Sequence, residues 1–477
     1  MKYLITVCFV GCFFIAFGQA DKAQVLNQLD KKASYYGSLA RQIWKYAEPG
    51  YMEEKTTKQL QDELRSAGFQ IQTGVADIPT AFVATYGSGK PVIGILAEMD
   101  ALPGLSQDTV PTRKPFVMNG YGHACGHHLF GVGSTAAAIT VKEWLQKSGK
   151  QGTIKLVGTP AEEGAGGGKT YLVQAGIFKD MDAVLHWHPG AENDGSPSSS
   201  LAYRVANFRF YGLAAHASAA PEKGRSALDA VEAMNYMVNL MREHITPDTR
   251  IHYVIKKGGL TSNIVPDFAE VEYTVRNPTA QGMEEVWQRL LKTANAAAMG
   301  TETKMEYEIM AGLYNLLPNE VLAKLMHKNL ETVGGVFYTA EEKAFGEKLQ
   351  KTIASSTLPP VESAAKVATY QMGGVTPAST DVGDVSWVVP TAGLSTATWV
   401  PGTPAHSWQA VACGGMSIGV KGMMVAAKTI ALTALDIYND PSAINKATDE
   451  LNKRRGTSTF VYKSLAGDRK PPLDYRK

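Results

Sequence analysis

Apolar residues along this chain follow two rhythms. Over residues 23–68 they recur at helical spacing, at Leu26, Leu29, Leu39, Ile43 and Trp44, then at Leu60 and Leu64. Gly68 follows as a natural stop, so this stretch is predicted to be helical. Short apolar runs come next, at 82–86, 92–97, 153–158, 183–187 and 394–400. The run 92–97, V-I-G-I-L-A, has no polar side chain, the pattern of a strand covered on both faces. Residues 128–148 are rich in alanine and carry Trp144 and Leu145, which predicts a helix between two such strands. Strands alternating with helices in this way predict an α/β fold, with a mixed, mostly parallel sheet wrapped by helices.

The middle of the chain has a different texture. Residues 204–213 alternate like a half-exposed strand, 226–241 form an amphipathic helix, and 251–255 and 270–275 read as two further strands. A helix over 283–299 and a strand over 304–310 complete the set. This predicts an α+β domain, residues 203–315, inserted into a catalytic domain made of 21–202 and 316–477. A length of 477 residues also exceeds what one core usually fills. Residues 340–390, with Pro359-Pro360, are expected to be an irregular insertion, and the tail after Lys453 is expected to pack poorly.

The first twenty residues stand apart. Lys2 precedes an apolar run over 3–17, and Gly18-Gln19-Ala20 puts small residues at the positions a signal peptidase reads. An exported protein, periplasmic or secreted, cleaved after about Ala20, is the expectation. An anchor helix is the alternative, but the run is short and has no stop-transfer flank. Cleavage would remove Cys8 and Cys12 and leave Cys125 and Cys413, too few for a disulfide-stapled scaffold. One Cys125–Cys413 bridge would still compete with any metal-binding role for Cys125. The net charge of +2, with no basic block and no interleaved aromatics, argues against nucleic acid as a partner. No membrane association is expected after cleavage.

Candidate chemistry concentrates in residues 120–133, G-Y-G-H-A-C-G-H-H-L-F-G-V-G. His123, Cys125, His127 and His128 lie within six residues, flanked by glycines that allow tight turns. Imidazole and thiolate donors suit Zn²⁺ and its neighbours. The remaining ligands must come from elsewhere, and several strand-like runs end in suitable groups. One ends at Glu98-Met99-Asp100, another at Glu162-Glu163, a third at His188 and the last at His406. Sites in open α/β sheets form at those carboxyl ends. Of two adjacent glutamates beside a cation, one can bind the metal while the other serves as general base. His188 fits the ligand position better than His186, because Pro189 interrupts the strand. The run 164–170, G-A-G-G-G-K-T, fails the spacing of a phosphate loop, and its glycines are expected to let backbone pack closely behind the site.

The motifs H-A-C-G-H, P-A-E-E-G, W-H-P and G-T-P-A-H-S-W together resemble the aminoacylase and carboxypeptidase family of dinuclear metallohydrolases, peptidase family M20. Within it the chain is similar to the amidohydrolase branch, and there to the group of proteins like the B component of p-aminobenzoyl-glutamate hydrolase. The motifs A-E-M-D-A-L-P-G, G-L-A-A-H-A-S-A-A-P and S-N-I-V-P-D extend the resemblance over nearly all of the mature chain. It implies a zinc-peptidase-like catalytic domain, with residues 203–315 as a lid and dimerisation module. It also implies two divalent metal ions, Zn²⁺ or Mn²⁺ with Co²⁺ as a further option. Cys125 would be shared by the pair, a place taken by Asp in many relatives, and His127, Glu163, His188 and His406 would complete the protein ligands. Glu162 would be the general base, and Asp100 would orient a ligand. His216 would reach an active site, usually that of the partner protomer, while Asn263 and Arg276 would contact substrate. His123 and His128 fall outside the ligand pattern. The implied reaction is hydrolysis of an N-acyl amino acid amide. A dipeptidase or carboxypeptidase is the alternative, and a non-catalytic metal-dependent binding protein a more distant one. The implied assembly is a homodimer, or a pairing with a paralogous subunit.

Overall fold

Every residue of the strand Val92–Glu98 is buried, as its unbroken apolar run requires. The strand lies within a six-stranded sheet, parallel to Gly152–Thr159 on one side and to Ala183–Gly190 on the other. Thr391–Ala397 extends the parallel set beyond Ala183–Gly190. Phe82–Ser88 and Gln70–Thr73 finish the opposite edge as antiparallel strands. The sheet is therefore mixed and mostly parallel. It belongs to a computed structural model that describes residues 2–164 and 166–474, with side chains from residue 21 onward. The leader expected over residues 1–20, with its cleavage point after Ala20, falls outside those side chains.

Helices Lys2–Tyr46, His127–Ser148 and Ser417–Asn439 pack against one another, and the last two also pack against the sheet. Their alanines and the strand residues Ile93, Ile95, Leu156 and Leu185 form one large apolar core. Ser417–Asn439 is long and apolar enough to cross a bilayer, yet 83% of its most apolar stretch is buried within the protein.

A second sheet is built from residues 202–313. Its order is Lys304–Leu313, Ala202–Tyr211, Phe268–Asn277, Arg250–Lys257, and all neighbours are antiparallel. Helices Ala227–Met241 and Ala280–Gly300 pack on it around a separate core that includes Phe208, Phe210, Tyr273 and Trp287. Both helices begin where the sequence supplies a hydroxyl cap. Ser226 accepts a hydrogen bond from the Asp229 amide and Thr279 from the Gly282 amide. Arg250–Lys257 is an edge strand with only Ile251 buried.

Three expectations need correction. Residues 340–390 are not wholly irregular: Ala340–Gln350 is a helix, opened by a capping box between Thr339 and Glu342. The T-A-E-E sequence is that signal, since each end satisfies the other's free amide. The tail after Lys453 is also packed. Leu465 and Ala466 are buried, and their segment is held through backbone carbonyls. Arg204 Nε donates to the Leu465 carbonyl at 3.0 Å and Tyr314 Oη to that of Lys463 at 2.9 Å. Side chains elsewhere in the chain supply these donors, so local sequence gives no hint of them. The last strand of the large sheet also starts and stops earlier than its apolar run, because Thr398 turns away with its amide on the Gly190 carbonyl.

The tail creates a pH-sensitive point. Burial pushes the Asp384 carboxyl up to about 7, against 3.8 for an ordinary aspartate, although Tyr462 Oη and the Tyr314 amide donate to it. Because the folded value lies above the unfolded one, the folded state holds the extra proton between those pH values. The stability that this proton confers is present below pH 3.8 and is lost as pH rises toward 7. Asp384→Asn should therefore flatten the fall of Tm between about pH 4 and 7.5, a difference that thermal melts of the two proteins would reveal.

Candidate metal centre

Three parallel strands end at the same edge of the large sheet, and each turns there into a polar segment. Val92–Glu98 leads to Asp100, Gly152–Thr159 to Glu162 and Glu163, and Ala183–Gly190 carries His188 near its end. The Cys125-Gly126-His127 turn closes onto them at the start of the helix His127–Ser148. Gly126 has φ of 79°, and a Cβ there would lie 2.6 Å from Pro189 Cβ. Only glycine brings this turn so close to the His188-Pro189 backbone. Two other turns at the site place non-glycine residues in the left-handed region, Ala161 and His406, both with φ of 56°. Such strain persists where surrounding contacts over-determine it. Here the Ala161 amide donates to Glu53 Oε1 at 2.8 Å and the His406 amide to the Ala124 carbonyl at 3.1 Å.

These turns assemble three groups of three potential ligands, two of which share Cys125. One of these two is Cys125, His127 and His188; the other is Cys125, Glu163 and His406. Within each group the ligand atoms lie within 4.8 Å of one another. Cys125 Sγ is 3.3 Å from His188 Nε2, and His406 Nε2 is 3.1 Å from Glu163 Oε1. All five expected ligands thus come together. The second nitrogen of two histidines is already engaged. His188 Nδ1 donates to the Pro189 carbonyl at 2.7 Å, and His127 Nδ1 pairs with Asp100 Oδ1 at 2.8 Å. That pattern leaves both Nε2 atoms for a metal. Asp100 also accepts the Glu163 amide at 2.9 Å, so a single carboxylate orients residues of both groups.

The electrostatics suit a cation. Burial alone would lower the His127 pKa, yet the Cys125 sulfur and the Glu98 carboxylate beside it hold it well above its ordinary value. Burial pushes the Cys125 thiol up, which a divalent cation at the sulfur would reverse. Glu162 is half-buried and stands outside both Cys125 groups, in a third group with Glu98 and His127. Burial, followed by the charges of Glu98 and Glu163, raises its pKa well above that of an ordinary glutamate. Thiolate, imidazole and carboxylate donors in two overlapping triads, with His127 Nε2 buried and without a hydrogen-bond partner, fit a pair of divalent ions.

Other expected residues lie elsewhere. His216 is exposed in the second sheet's loop region, where its Nδ1 accepts the amides of Ser218 and Ala219 at 3.3 and 3.2 Å. Asn263 is its neighbour, its carbonyl accepting the Ala217 amide at 3.0 Å. Arg276 lies over the Tyr203 ring at 5.2 Å and donates to Ser379 Oγ at 3.2 Å. None of the three joins the Cys125 groups in this chain. His123 and His128 are buried beside them, ring against ring at 4.8 Å, and are members of neither. Cys125 and Cys413 are both free thiols, so no bridge competes for the sulfur.

Sequence reasoning missed three buried charges behind the site. Lys169, fully buried, sits 2.7 Å from Glu98 Oε1 and 2.5 Å from Asp381 Oδ1. A lone lysine inside a glycine-rich, otherwise apolar run was the available signal. The same run packs as closely as expected: a Cβ on Gly168 would lie 2.0 Å from the Pro160 carbonyl oxygen. Glu53, pushed up to about 8 by burial and then by the charge of Asp100, supports the strained turn at Ala161.

Residues 94–409 match the model of peptidase family M20/M25/M40, and the chain belongs to that family of hydrolases. It is 40% identical to the B component of the p-aminobenzoyl-glutamate hydrolase of Escherichia coli (strain K12), over 89% of this chain and 93% of the relative. It is 29% identical to the Xaa-Arg dipeptidase of Mus musculus, over 90% of this chain and 91% of that protein. Among solved structures, a dinuclear metal-binding peptidase of the M20 family from Bacillus subtilis shares the fold with a TM-score of 0.60 at 16% identity, over 86% of this chain and 99% of that one. The aminobenzoyl-glutamate utilization protein of Klebsiella pneumoniae does so with a TM-score of 0.58 at 18% identity, over 87% and 98%.

Proposed function

We propose that this protein is a metal-dependent amidohydrolase that cleaves the amide of an N-acyl amino acid of the p-aminobenzoyl-glutamate kind. The observation that carries the reading is the pair of ligand groups sharing Cys125, with Glu162 beside them and outside both. Two divalent ions, Zn²⁺, Mn²⁺ or Co²⁺, would be held by Cys125, His127, His188, Glu163 and His406. When bound, they supply Lewis acidity and acidify water near neutral pH.

The chain's own residues do the rest. Asp100 fixes the His127 tautomer and the Glu163 backbone. Glu162 accepts a proton from water at its carboxylate and delivers it to the leaving amine. A carboxyl whose pKa is raised by burial and like charges suits a group that must hold that proton between steps. His216, reaching over from the partner protomer, completes the oxyanion contacts, and Asn263 and Arg276 bind substrate, Arg276 through its carboxylate. Residues 203–315 act as lid and dimerisation domain, for which the exposed edge strand with Tyr253, Val254 and Ile255 offers a pairing surface. A paralogous partner is the other option, because two relatives in Escherichia coli carry the names of two different components of p-aminobenzoyl-glutamate hydrolase. Export through residues 1–20 is part of the same proposal.

The test is activity of the metal-reconstituted protein on p-aminobenzoyl-glutamate, simple N-acyl amino acids and dipeptides, each with and without chelator. Chelator-sensitive release of p-aminobenzoate is expected. Turnover of dipeptides alone would favour the second reading, a dipeptidase, which the Xaa-Arg dipeptidase relatives support. Chelator-insensitive activity would sink both.

A further inference from the structure

Glu98 closes the central strand and is 1% exposed. Its two oxygens face different worlds. Oε1 is bound to Lys169 Nζ at 2.7 Å, whereas Oε2 has no hydrogen-bond partner and lies 3.1 Å from His127 Nε2. That nitrogen is the one left for a metal, because Nδ1 is engaged by Asp100. A buried carboxylate oxygen without a donor is costly, and two such acceptors facing each other need a cation or a proton between them.

Charge counting points the same way. Glu98 and Asp381 bring two buried carboxylates against the single ammonium of Lys169, so the remaining negative charge calls for a positive partner at His127, either a proton on its ring or a cation beside it. Lys169 has little freedom to move. Asp381 Oδ2 accepts its backbone amide at 2.9 Å while Oδ1 takes its Nζ, so one aspartate fixes both ends of the residue. The lysine in turn fixes which way Glu98 turns.

We propose that Glu98 is a further anionic group of the metal centre, facing the Cys125–His127–His188 subsite, and that Lys169, anchored by Asp381, is the residue that positions it. The inference rests on the metal reading above, and its test separates the two. Apoprotein is titrated with Co²⁺ alone, following heat by calorimetry and the visible absorption of the bound ion, and the melting temperature of each apoprotein is recorded. The wild-type chain is expected to take up two ions. Glu98→Gln, which keeps the shape and removes the charge, is expected to weaken one of the two events at least tenfold and to shift its absorption bands. Glu98→Asp keeps the charge beside Lys169 but withdraws the carboxylate from His127, and is expected to weaken the same event. Lys169→Met should weaken it as well, and Lys169→Arg should recover most of the loss. Should the Glu98→Gln variant not fold, the Glu98→Asp titration decides alone. Wild-type Co²⁺ affinity and spectrum in the folded Glu98 variants, even with a lowered apoprotein melting temperature, would overturn the proposal and reduce the triad to a structural ion pair. A wild-type chain that binds no Co²⁺ would overturn the metal centre itself.

Discussion

Glu162→Gln is expected to lower kcat by on the order of 10³-fold or more while leaving bound metal at the wild-type level. The two adjacent glutamates are already sorted by their contacts. Glu163 is buried, its amide is held by Asp100 Oδ2 and its carboxylate lies against His406, so it belongs to the ligand frame. Glu162 joins neither Cys125 group and carries the raised pKa of a proton carrier. The amide of glutamine fills the same space and cannot accept and return a proton. Glu163→Gln should show the opposite signature, with metal lost first and activity as a consequence. Metal analysis alongside kcat and KM separates the two, and Glu162→Gln retaining activity within tenfold of wild type would refute the assignment of the base.

How much of this was legible beforehand depended on where the determining contacts lie. The central strands could be read because burial on both faces writes an unbroken apolar run, as in residues 92–97. The candidate ligands could be narrowed to a few strand ends and one glycine-bracketed turn, where polar residues break the apolar pattern. The choice of Cys125 and His127 over His123 and His128, and of Glu163 over Glu162, came from the family resemblance and not from the pattern. The strand Gln70–Thr73 could not be, because it is an exposed edge with polar side chains and its pairing to Phe82–Ser88 leaves no mark on its composition. Lys169 and Asp381 escaped for another reason. They are 212 residues apart and meet only in the fold, so their pairing has no local spacing to betray it. The packed tail is the same case, since Arg204 and Tyr314 lie far from the carbonyls they hold.

The second large effect is expected at Cys125. Its sulfur is the member common to both ligand groups, so Cys125→Ala removes one donor from each at once and leaves His127 with His188, and Glu163 with His406. Two donors do not make a tetrahedral site. Metal content after dialysis should fall from two ions per chain to none, with activity lost beyond detection, whereas loss of an outlying ligand such as the exposed His406 should spare the other subsite. Cys125→Asp is the informative partner. A carboxylate can lend one oxygen to each ion, and its low intrinsic pKa needs no metal to make it anionic, unlike a thiol that burial pushes up. The aspartate variant is therefore expected to recover metal and a measurable part of the activity. It should also keep its metal uptake after the apoprotein is treated with thiol oxidants, whereas the wild-type apoprotein should lose it through Cys125, the less buried of the two described cysteines at 7% against 0% exposed. Metal analysis of the three proteins before and after oxidant treatment checks this. A Cys125→Ala protein that still holds two ions would mean the sulfur is a bystander and that the centre is assembled by other residues.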